Sequence, residues 1–193
     1  KNYNGYPASI CVSVNDEVVH GIPSRDRILM DGDIVSLDAG LIYKGYHSDA
    51  ARTHRVGKVS PEAEKLIAVT KQSFFEGIKK ARAGNHLYDI SNAIDAYVTS
   101  YGYGIVRALV GHGIGTKLHE EPQIPNFAQR RKGVRLQPGM TLAIEPMINM
   151  GTAEVVWLDD DWTVVTEDGA YSAHYENTIL ITDGEPEILT LPL

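Results

Sequence analysis

The sequence has little of what would place it in several common protein classes. Its 193 residues include one cysteine, which excludes an internal disulfide and fits a reducing compartment. No apolar run approaches the ~18 residues that a membrane span needs. Basic residues form no long block and the net charge is −7, so nucleic acid is not the expected partner. These absences exclude a disulfide scaffold and a membrane-embedded protein.

What remains is the composition of an ordinary globular protein. Hydrophobic residues make up 43% of the chain and charged residues 22%, enough to build a full core. No linker or low-complexity segment interrupts it, so we expect residues 1–193 to form a single domain. We also expect a cytoplasmic monomer without DNA or membrane partners. Because the sequence starts at Lys1 and not at Met, a targeting segment ahead of it stays an open question.

Residues 35–53 are predicted to form a hairpin that carries two carboxylates, Asp38 and Asp49. A turn at Lys44-Gly45 would place residue 38 opposite residue 51 and diagonal to residue 49. Diagonal side chains on one face of a sheet lie about 7–8 Å apart, so both carboxylates can reach the same small object. Taken alone, the hairpin is better explained by two exposed acids, because Asp is mostly a surface residue.

Two helices are predicted after the hairpin. Ser60 is a good N-cap and Pro61 suits the first helical position, and Gly84 is expected to end this helix. The second helix is predicted over 87–101, with Gly102 closing it. The remaining chain is predicted to form a polar loop at 119–122 and strands at 9–14, 105–110, 140–144, 153–158, 162–166 and 171–182.

Three segments recur in the same order in the two parts of the chain. The repeat adds Glu145 and Glu176 to Asp38 and Asp49, and predicts two halves, about 1–58 and 59–193, around a pseudo-two-fold axis. The second half opens with two helices that the first half lacks. We therefore expect the native chain to begin about 40 or more residues upstream, or this sequence to be a fragment. The matched segments are 20–23 with 112–115, 31–38 with 138–145, and 47–49 with 174–176.

Four carboxylates that face one another cannot all ionise unless cations neutralise them. Two divalent ions would balance the four charges, and a neutral His112 would complete the ligand set. Oxygen ligands with one imidazole suit Mn, Fe(II), Co or Zn, and a pair of such ions typically activates a water and stabilises an oxyanion. The simpler alternative is a set of unrelated surface acids.

The second half contains five further motifs. They are Gly111-His112-Gly113-Ile114-Gly115, His119-Glu120-Glu121-Pro122, Pro138-Gly139-Met140-Thr141, Ile144-Glu145-Pro146-Met147 and Tyr175-Glu176-Asn177-Thr178. Together these motifs resemble the type I methionine aminopeptidases, and the resemblance runs from about Gly5 to the end of the chain. It implies the α/β pita-bread fold, in which two pseudo-two-fold-related halves form a curved antiparallel sheet covered by helices. It also implies removal of the initiator methionine from nascent polypeptides with a small second residue, with the ribosome as a further partner.

The resemblance also implies a role for each metal ligand. Asp38 would chelate one ion with both oxygens, and Asp49 and Glu176 would bridge the two ions. His112 and Glu145 would complete the second ion's ligands. Glu145 would in addition shuttle the proton of the attacking water, as base and then as acid.

The remaining site residues are implied to bind substrate. His119 would donate a hydrogen bond to the substrate carbonyl or the developing oxyanion, and His20 would hold the substrate backbone beyond the scissile bond. A loop residue bonded to the backbone is the alternative for either histidine. Leu118 stands where the family usually has phenylalanine, which could alter the shape of the pocket. The apolar pocket for the methionine side chain would be lined by Tyr3, Tyr6, Cys11, Leu118 and Trp162.

Two other functions compete with this one. An Xaa-Pro aminopeptidase or prolidase would share the fold and the five ligands, but the motif at 119–122 and Asn177-Thr178 after the last ligand argue against it. A non-catalytic binding module of the same fold would typically have lost metal ligands, and all five are present.

Overall fold

The computed structural model describes residues 3–191. Within that range the chain forms a 3₁₀ turn, Tyr3–Gly5, two helices and fourteen strands, and no helix there is both long and apolar enough to cross a membrane. The helices are α1 Pro61–Ile78 and α2 Leu87–Thr99. The strands are β1 Cys11–Val14, β2 Glu17–Val19, β3 Ile34–Tyr43, β4 Tyr46–Arg55, β5 Gly104–Ile105, β6 Gly111–Gly113, β7 Glu120–Ile124, β8 Thr141–Ile144, β9 Met147–Asn149, β10 Val155–Trp157, β11 Val164–Thr166, β12 Ser172–His174, β13 Asn177–Leu180 and β14 Glu187–Ile188.

The hairpin of β3 and β4 has the predicted turn and register. Lys44 and Gly45 both have positive φ angles, 50° and 83°, as a two-residue type I′ turn requires. The turn pairs residue 38 with Ala51 and residue 40 with Asp49. Asp38 therefore lies diagonal to Asp49, as the sequence predicts.

The pairing of the strands is antiparallel throughout the described sheets. One sheet has the order β1-β3-β4 and another has the order β14-β13-β8-β6-β7. The first sheet meets the segment between β12 and β13, where the backbones of Ala51 and Glu176 exchange hydrogen bonds of 3.4 and 2.9 Å. This mixed α/β architecture with antiparallel sheets confirms the predicted fold class.

Each helix packs on neighbouring strands through one apolar face, α1 mainly on β12 and β9 and α2 on β5 and β7. Ser60 caps α1 as predicted, because its side chain accepts a hydrogen bond of 3.1 Å from the Ala63 amide. Phe74 on α1 is fully buried and its ring centre lies 5.4 Å from that of Tyr175. The helix thus supports the strand segment that carries His174 and Glu176. The same core includes Leu66, Ile90, Ile94, Leu142, Ile144 and Ile179.

Several local predictions differ from the structure, among them the strand 171–182, which is divided into β12 and β13 with Glu176 between them. Helix α1 ends at Ile78 and not at Gly84, because the chain after it turns to bond with 134–136, for example through Gly84 N–H to Leu136 O at 3.0 Å. Of the predicted strand 105–110, only Ile105 is in β5, and the Val106 amide makes one further bond, to Met147 O. The predicted loop 119–122 is largely strand β7, because it pairs with β6.

Replacing Ser60 with alanine should destabilise the protein by removing the cap of α1. The expected loss is about 1 kcal/mol, which for a chain of this size lowers Tm by about 2–4 °C. The matched control is Ser100→Ala at the end of α2, where the hydroxyl donates only to Tyr97 O on the surface. Thermal denaturation of both variants checks the expectation, and equal Tm values would contradict a capping role for Ser60.

Candidate active site

One cavity of about 740 Å³ brings together all the residues that the sequence analysis singled out. Its wall contains the five expected metal ligands, the two expected substrate histidines and the five expected pocket residues. These residues are spread along the sequence from Tyr3 to Glu176. The carboxylates lie at the junction of the two sheets described above.

Asp38 and Asp49 lie within paired strands, whereas Glu145 and Glu176 lie just beyond the ends of paired strands. Asp38 is in β3 and Asp49 is in β4, one step apart on the diagonal. Ile144 pairs with Asn177, so Glu145 and Glu176, which flank this pair, are neighbours across the two strands. The two carboxylate pairs of the repeat therefore differ in register by two residues, although they face the same cavity.

Burial and mutual repulsion set the charge of this cluster. Burial raises the pKa of Asp38 and of Glu145 well above the ordinary carboxyl value, and neighbouring carboxylates raise both further. The pKa of Glu176 is raised for the same two reasons, and that of Asp49 is raised by burial. Without cations, the cluster retains protons that exposed acids would release.

His112 presents an unprotonated nitrogen to the cluster. Its Nδ1 lies 2.9 Å from the carbonyl oxygen of Gly113. A carbonyl only accepts hydrogen bonds, so Nδ1 carries the proton and Nε2 keeps a free lone pair. Nε2 lies 3.5 Å from Oε1 of Glu145. Burial lowers the pKa of His112 to about 4, so the ring is neutral at pH 7 and suited to bind a metal.

The donor set fits divalent metal ions. One ligand atom from each of Asp49, His112 and Glu176 lies within 4.8 Å of the others. Oε1 of Glu176 is buried and has no hydrogen-bond partner among the described residues. An unpartnered buried carboxylate oxygen is costly, and a cation shared with the neighbouring carboxylates would satisfy it. Oxygen ligands with one imidazole are compatible with Mn, Fe(II), Co or Zn.

Burial also favours the neutral form of the two histidines that are expected to bind substrate. Burial lowers the pKa of His20 and of His119. Nδ1 of His119 is 2.7 Å from the hydroxyl of Tyr3, and its ring centre is 4.2 Å from that of His112. His119 is therefore held next to His112, an expected metal ligand, and its second nitrogen is not engaged by Tyr3.

His20 is fixed by an unusual backbone conformation. Its φ angle is 60°, in the left-handed region that non-glycine residues rarely occupy. The next residue, Gly21, is held by Val12 N–H and Tyr6 O–H, which donate to its carbonyl at 2.8 and 2.7 Å. A side chain at Gly21 would come within 2.3 Å of Val12 O. The strained conformation thus persists at a place where the surroundings hold it rigidly.

The expected methionine pocket is aromatic and uncharged. The rings of Tyr6 and Trp162 meet edge to face at 5.1 Å, and Trp162 also lies 6.4 Å from His20. Burial and the nearby Asp38 raise the pKa of Cys11 to about 12, so its thiol stays neutral. Leu118 is partly buried on the same wall.

Several residues that support the site were not identified from the sequence. His174 is fully buried, and its Nε2 lies 3.8 Å from Oε2 of Glu145. Thr178 donates to Asp49 O and accepts from Asp49 N–H, at 3.0 and 2.9 Å. Arg52 donates to Glu176 O, and its guanidinium lies 4.3 Å from the ring centre of Tyr175. Of these, His174 appears in the sequence analysis as the counterpart of His47 in the repeat and Thr178 as part of the motif around Glu176, but neither was assigned a role in the site.

Residues 40–42 and His47 of the hairpin also line the cavity. The sequence analysis assigned the hairpin only its two carboxylates. These further contacts depend on how the hairpin leans over the cavity, which the sequence pattern does not reveal.

The fold and this cluster of ligands define a class of protein. The chain belongs to metallopeptidase family M24, whose family model matches residues 1–183. Within that family its relatives are methionine aminopeptidases. The protein of that name from Clostridium acetobutylicum is 58% identical over 191 residues, which cover 99% of this chain and 76% of the relative.

Solved structures agree with this assignment. The methionine aminopeptidase of Thermotoga maritima superimposes with a TM-score of 0.97 at 47% identity, over 100% of this chain and 77% of that one. A prolidase from Pyrococcus furiosus shares the fold, with a TM-score of 0.77 at 23% identity, over 96% of this chain and 50% of the prolidase.

Replacing Glu176 with glutamine should stabilise the metal-free protein and remove its response to metal. A raised pKa in the folded state means that stability is full below the ordinary carboxyl pKa and is lost as pH rises through the raised value. Glutamine removes that loss, so at pH 8 in excess chelator we expect the variant to have a higher Tm than the wild type. Added Mn(II) should raise the Tm of the wild type more than that of the variant.

The matched control for this prediction is Glu167→Gln, because Glu167 is an exposed glutamate. It should leave Tm unchanged in chelator and should preserve the rise with Mn(II). Differential scanning calorimetry measures the Tm of the three proteins in chelator and in Mn(II). A metal-free Glu176→Gln protein that melts below the wild type would contradict the repulsion among the carboxylates.

Proposed function

We propose that the chain is a methionine aminopeptidase that uses two divalent metal ions to remove the initiator methionine from polypeptides with a small second residue. The observation that carries the proposal is the cavity itself, which joins five potential metal ligands to an uncharged aromatic pocket. Membership of the metallopeptidase family and the identity to methionine aminopeptidases support the same reaction.

The five ligands would divide between two ions. Asp38 would chelate one ion, His112 and Glu145 would hold the other, and Asp49 and Glu176 would bridge them. The free Nε2 of His112 and the unpartnered Oε1 of Glu176 support this division. When bound, the two ions supply Lewis acidity toward the scissile carbonyl and the attacking water.

Glu145 is proposed to move the proton in the reaction. Its carboxylate lies between Nε2 of His112 and Nε2 of His174, at 3.5 and 3.8 Å. Burial and the neighbouring carboxylates raise its pKa, so it has the affinity to take a proton from the attacking water. It would then deliver that proton to the leaving amine.

His119 and His20 are proposed to orient the substrate. In the tautomer in which the Tyr3 hydroxyl donates to Nδ1 of His119, Nε2 carries the proton and can donate to the substrate carbonyl. A donor placed where negative charge develops stabilises the transition state more than the ground state. His20 lies next to Trp162 and would hold the substrate backbone beyond the scissile bond.

The pocket favours an unbranched, apolar side chain. Tyr6 and Trp162 supply aromatic surface, and the neutral Cys11 adds a small polarizable group. A flexible thioether packs well against such surfaces and carries no charge to desolvate. Together with Tyr3 and Leu118, these residues would line the methionine subsite.

We place the reaction on nascent chains in the cytoplasm, with the ribosome as the site of encounter and the enzyme acting as a monomer. We also propose that the chain works as one catalytic domain, whose halves, about 1–58 and 59–193, both contribute ligands. The supporting observation is that Asp38 and Asp49 come from the first half, whereas His112, Glu145 and Glu176 come from the second.

The decisive experiment is a metal titration with two substrates. Metal-stripped protein is titrated anaerobically with Fe(II), Mn(II), Co(II) and Zn(II), and hydrolysis of Met-Ala-Ser and of Ala-Pro-Ser is followed. The expected result is that methionine is released from Met-Ala-Ser and that Ala-Pro-Ser is not cleaved. Cleavage of Ala-Pro-Ser would indicate an Xaa-Pro peptidase instead. Metal binding without cleavage of either peptide would indicate a binding module.

Glu145→Gln should lower kcat by about 10²–10⁴-fold, the usual contribution of a general acid–base. The amide fills the same volume but cannot take up a proton. Steady-state kinetics at saturating metal, with circular dichroism as the check on folding, make the measurement. Turnover near that of the wild type would refute the assigned role, and Glu167→Gln provides the surface control.

His119→Ala should lower kcat more than it lowers metal content, because His119 is expected to contact substrate and not metal. Loss of one transition-state donor costs about 10²–10³-fold in kcat. Tyr3→Phe removes only the hydrogen bond to Nδ1 and should give a smaller loss. Metal is counted by elemental analysis beside the kinetics, and parallel loss of metal and activity would assign His119 a structural role.

A further inference from the structure

Strand β3 has an edge that no described strand covers. It pairs with β4 along its whole length, from Ile34 to Tyr43. On its other side, β1 pairs only with residues 35–38, and the last of these pairs joins Cys11 and Asp38. Residues 8–10, which precede β1, are not in a strand. Beyond Asp38, this edge of β3 therefore has no strand partner among residues 3–191.

The alternation of an antiparallel strand identifies the free groups. In the two-residue hairpin, Tyr43 and Tyr46 close the ladder, so the odd-numbered residues of β3 bond to β4 and the even-numbered residues face away. The Asn15 amide, which bonds to Ile34 O at 3.0 Å, agrees with this assignment. The N–H and C=O groups of Gly40 and Ile42 thus point outward along the uncovered edge.

This edge opens directly into the catalytic cavity. Residues 40–42 line the same cavity as Asp38 and Asp49, and residues 8–10 contribute to its wall as well. Leu41 and Ile42 keep 60% and 67% of their surface exposed. An exposed apolar strand edge invites pairing with another chain. Its continuity with the cavity indicates that the chain it pairs with is the one being processed.

We propose that residues 39–42 of β3 bind the substrate polypeptide, beyond its first two residues, as an added β-strand. This inference rests on the proposed function. Gly40 and Ile42 would donate their N–H groups to substrate carbonyls and accept hydrogen bonds from substrate amides with their own carbonyls. Such pairing recognises the main chain and not the side chains. It suits an enzyme whose substrates share their first residue and differ in everything that follows.

Glycine at position 40 is consistent with a strand passing at this point. It lies opposite Asp49, and a Cβ there would sit 3.4 Å from both Asp49 Oδ1 and Leu118 Cδ1. A side chain longer than one carbon would enter the space between the carboxylates and the pocket wall. Because Gly40 has no side chain, the substrate backbone has a path from the carboxylates to the free edge.

The first test is a scan of N-methylated substrates. Each amide of the peptide Met-Ala-Ser-Thr-Val-Thr-Lys-Lys after the second residue is methylated in turn, and kcat/KM is measured with the metal-loaded protein. A paired strand loses a hydrogen bond at every second position only. We expect losses of about three- to ten-fold at alternate amides, mainly in KM, and no loss between them. Equal sensitivity at all positions, or none, would overturn the proposal.

The second test removes a donor from the protein. Ile42→Pro deletes the outward N–H on an edge where proline is tolerated, and Ile42→Ala keeps that N–H while shortening the side chain. The readout is the ratio of kcat/KM for the octapeptide to that for Met-Ala-amide, which ends before the edge. We expect Ile42→Pro to lower this ratio about three- to ten-fold and Ile42→Ala to change it less. Equal ratios in both variants would contradict strand pairing.

Two further outcomes separate this inference from its alternatives. If the edge pairs with a second copy of the chain, sedimentation will show a concentration-dependent dimer that Ile42→Pro dissociates, which would overturn the proposal. If no peptide is cleaved, including Met-Ala-amide, the proposed function fails and this inference fails with it. Cleavage of Met-Ala-amide with no alternation in the octapeptide scan rejects the strand edge alone.

Discussion

The repulsion among four buried carboxylates is the constraint on which the rest of this structure depends. Asp38, Asp49, Glu145 and Glu176 share one cavity wall, and each has a pKa raised by burial or by its neighbours. Such a cluster holds together either by keeping protons or by binding cations. The fold therefore has to be stable enough elsewhere to tolerate it, and the apolar core between the helices and the second sheet provides that stability.

The side chains around the cluster do not neutralise its negative charge. His112 and His174 are neutral, because burial lowers their pKa values to about 4 and 3. Arg52, the cation that most affects Glu176, is bonded to the Glu176 carbonyl and to Asn177, 2.5 Å from its side-chain oxygen. No positive side chain among these neighbours neutralises the carboxylates directly. The charge balance is thus left to exogenous cations, which is what a metal site requires.

The sequence was sufficient for features set by local chemistry. The Lys44-Gly45 turn predicted the register of Asp38 with Ala51, and Ser60 predicted the start of α1. It was insufficient where distant segments compete for the backbone. The end of α1 is decided by hydrogen bonds to 134–136, and the motif at 119–122 becomes strand because β6 lies beside it. Arg52 bonds Glu176 and His174 bonds Thr53 across more than 100 residues of sequence, and no local pattern encodes such contacts.

The hydrogen bonds that join the two sheets involve the ligand residues themselves. The backbones of Ala51 and Glu176 bond reciprocally, and Thr178 bonds both backbone groups of Asp49. A hinge motion between the sheets would therefore have to break hydrogen bonds made by Asp49 and Glu176, the residues proposed to bridge the ions. The hydrogen bonds that position Asp49 and Glu176 therefore also fix the walls of the cavity around the carboxylates.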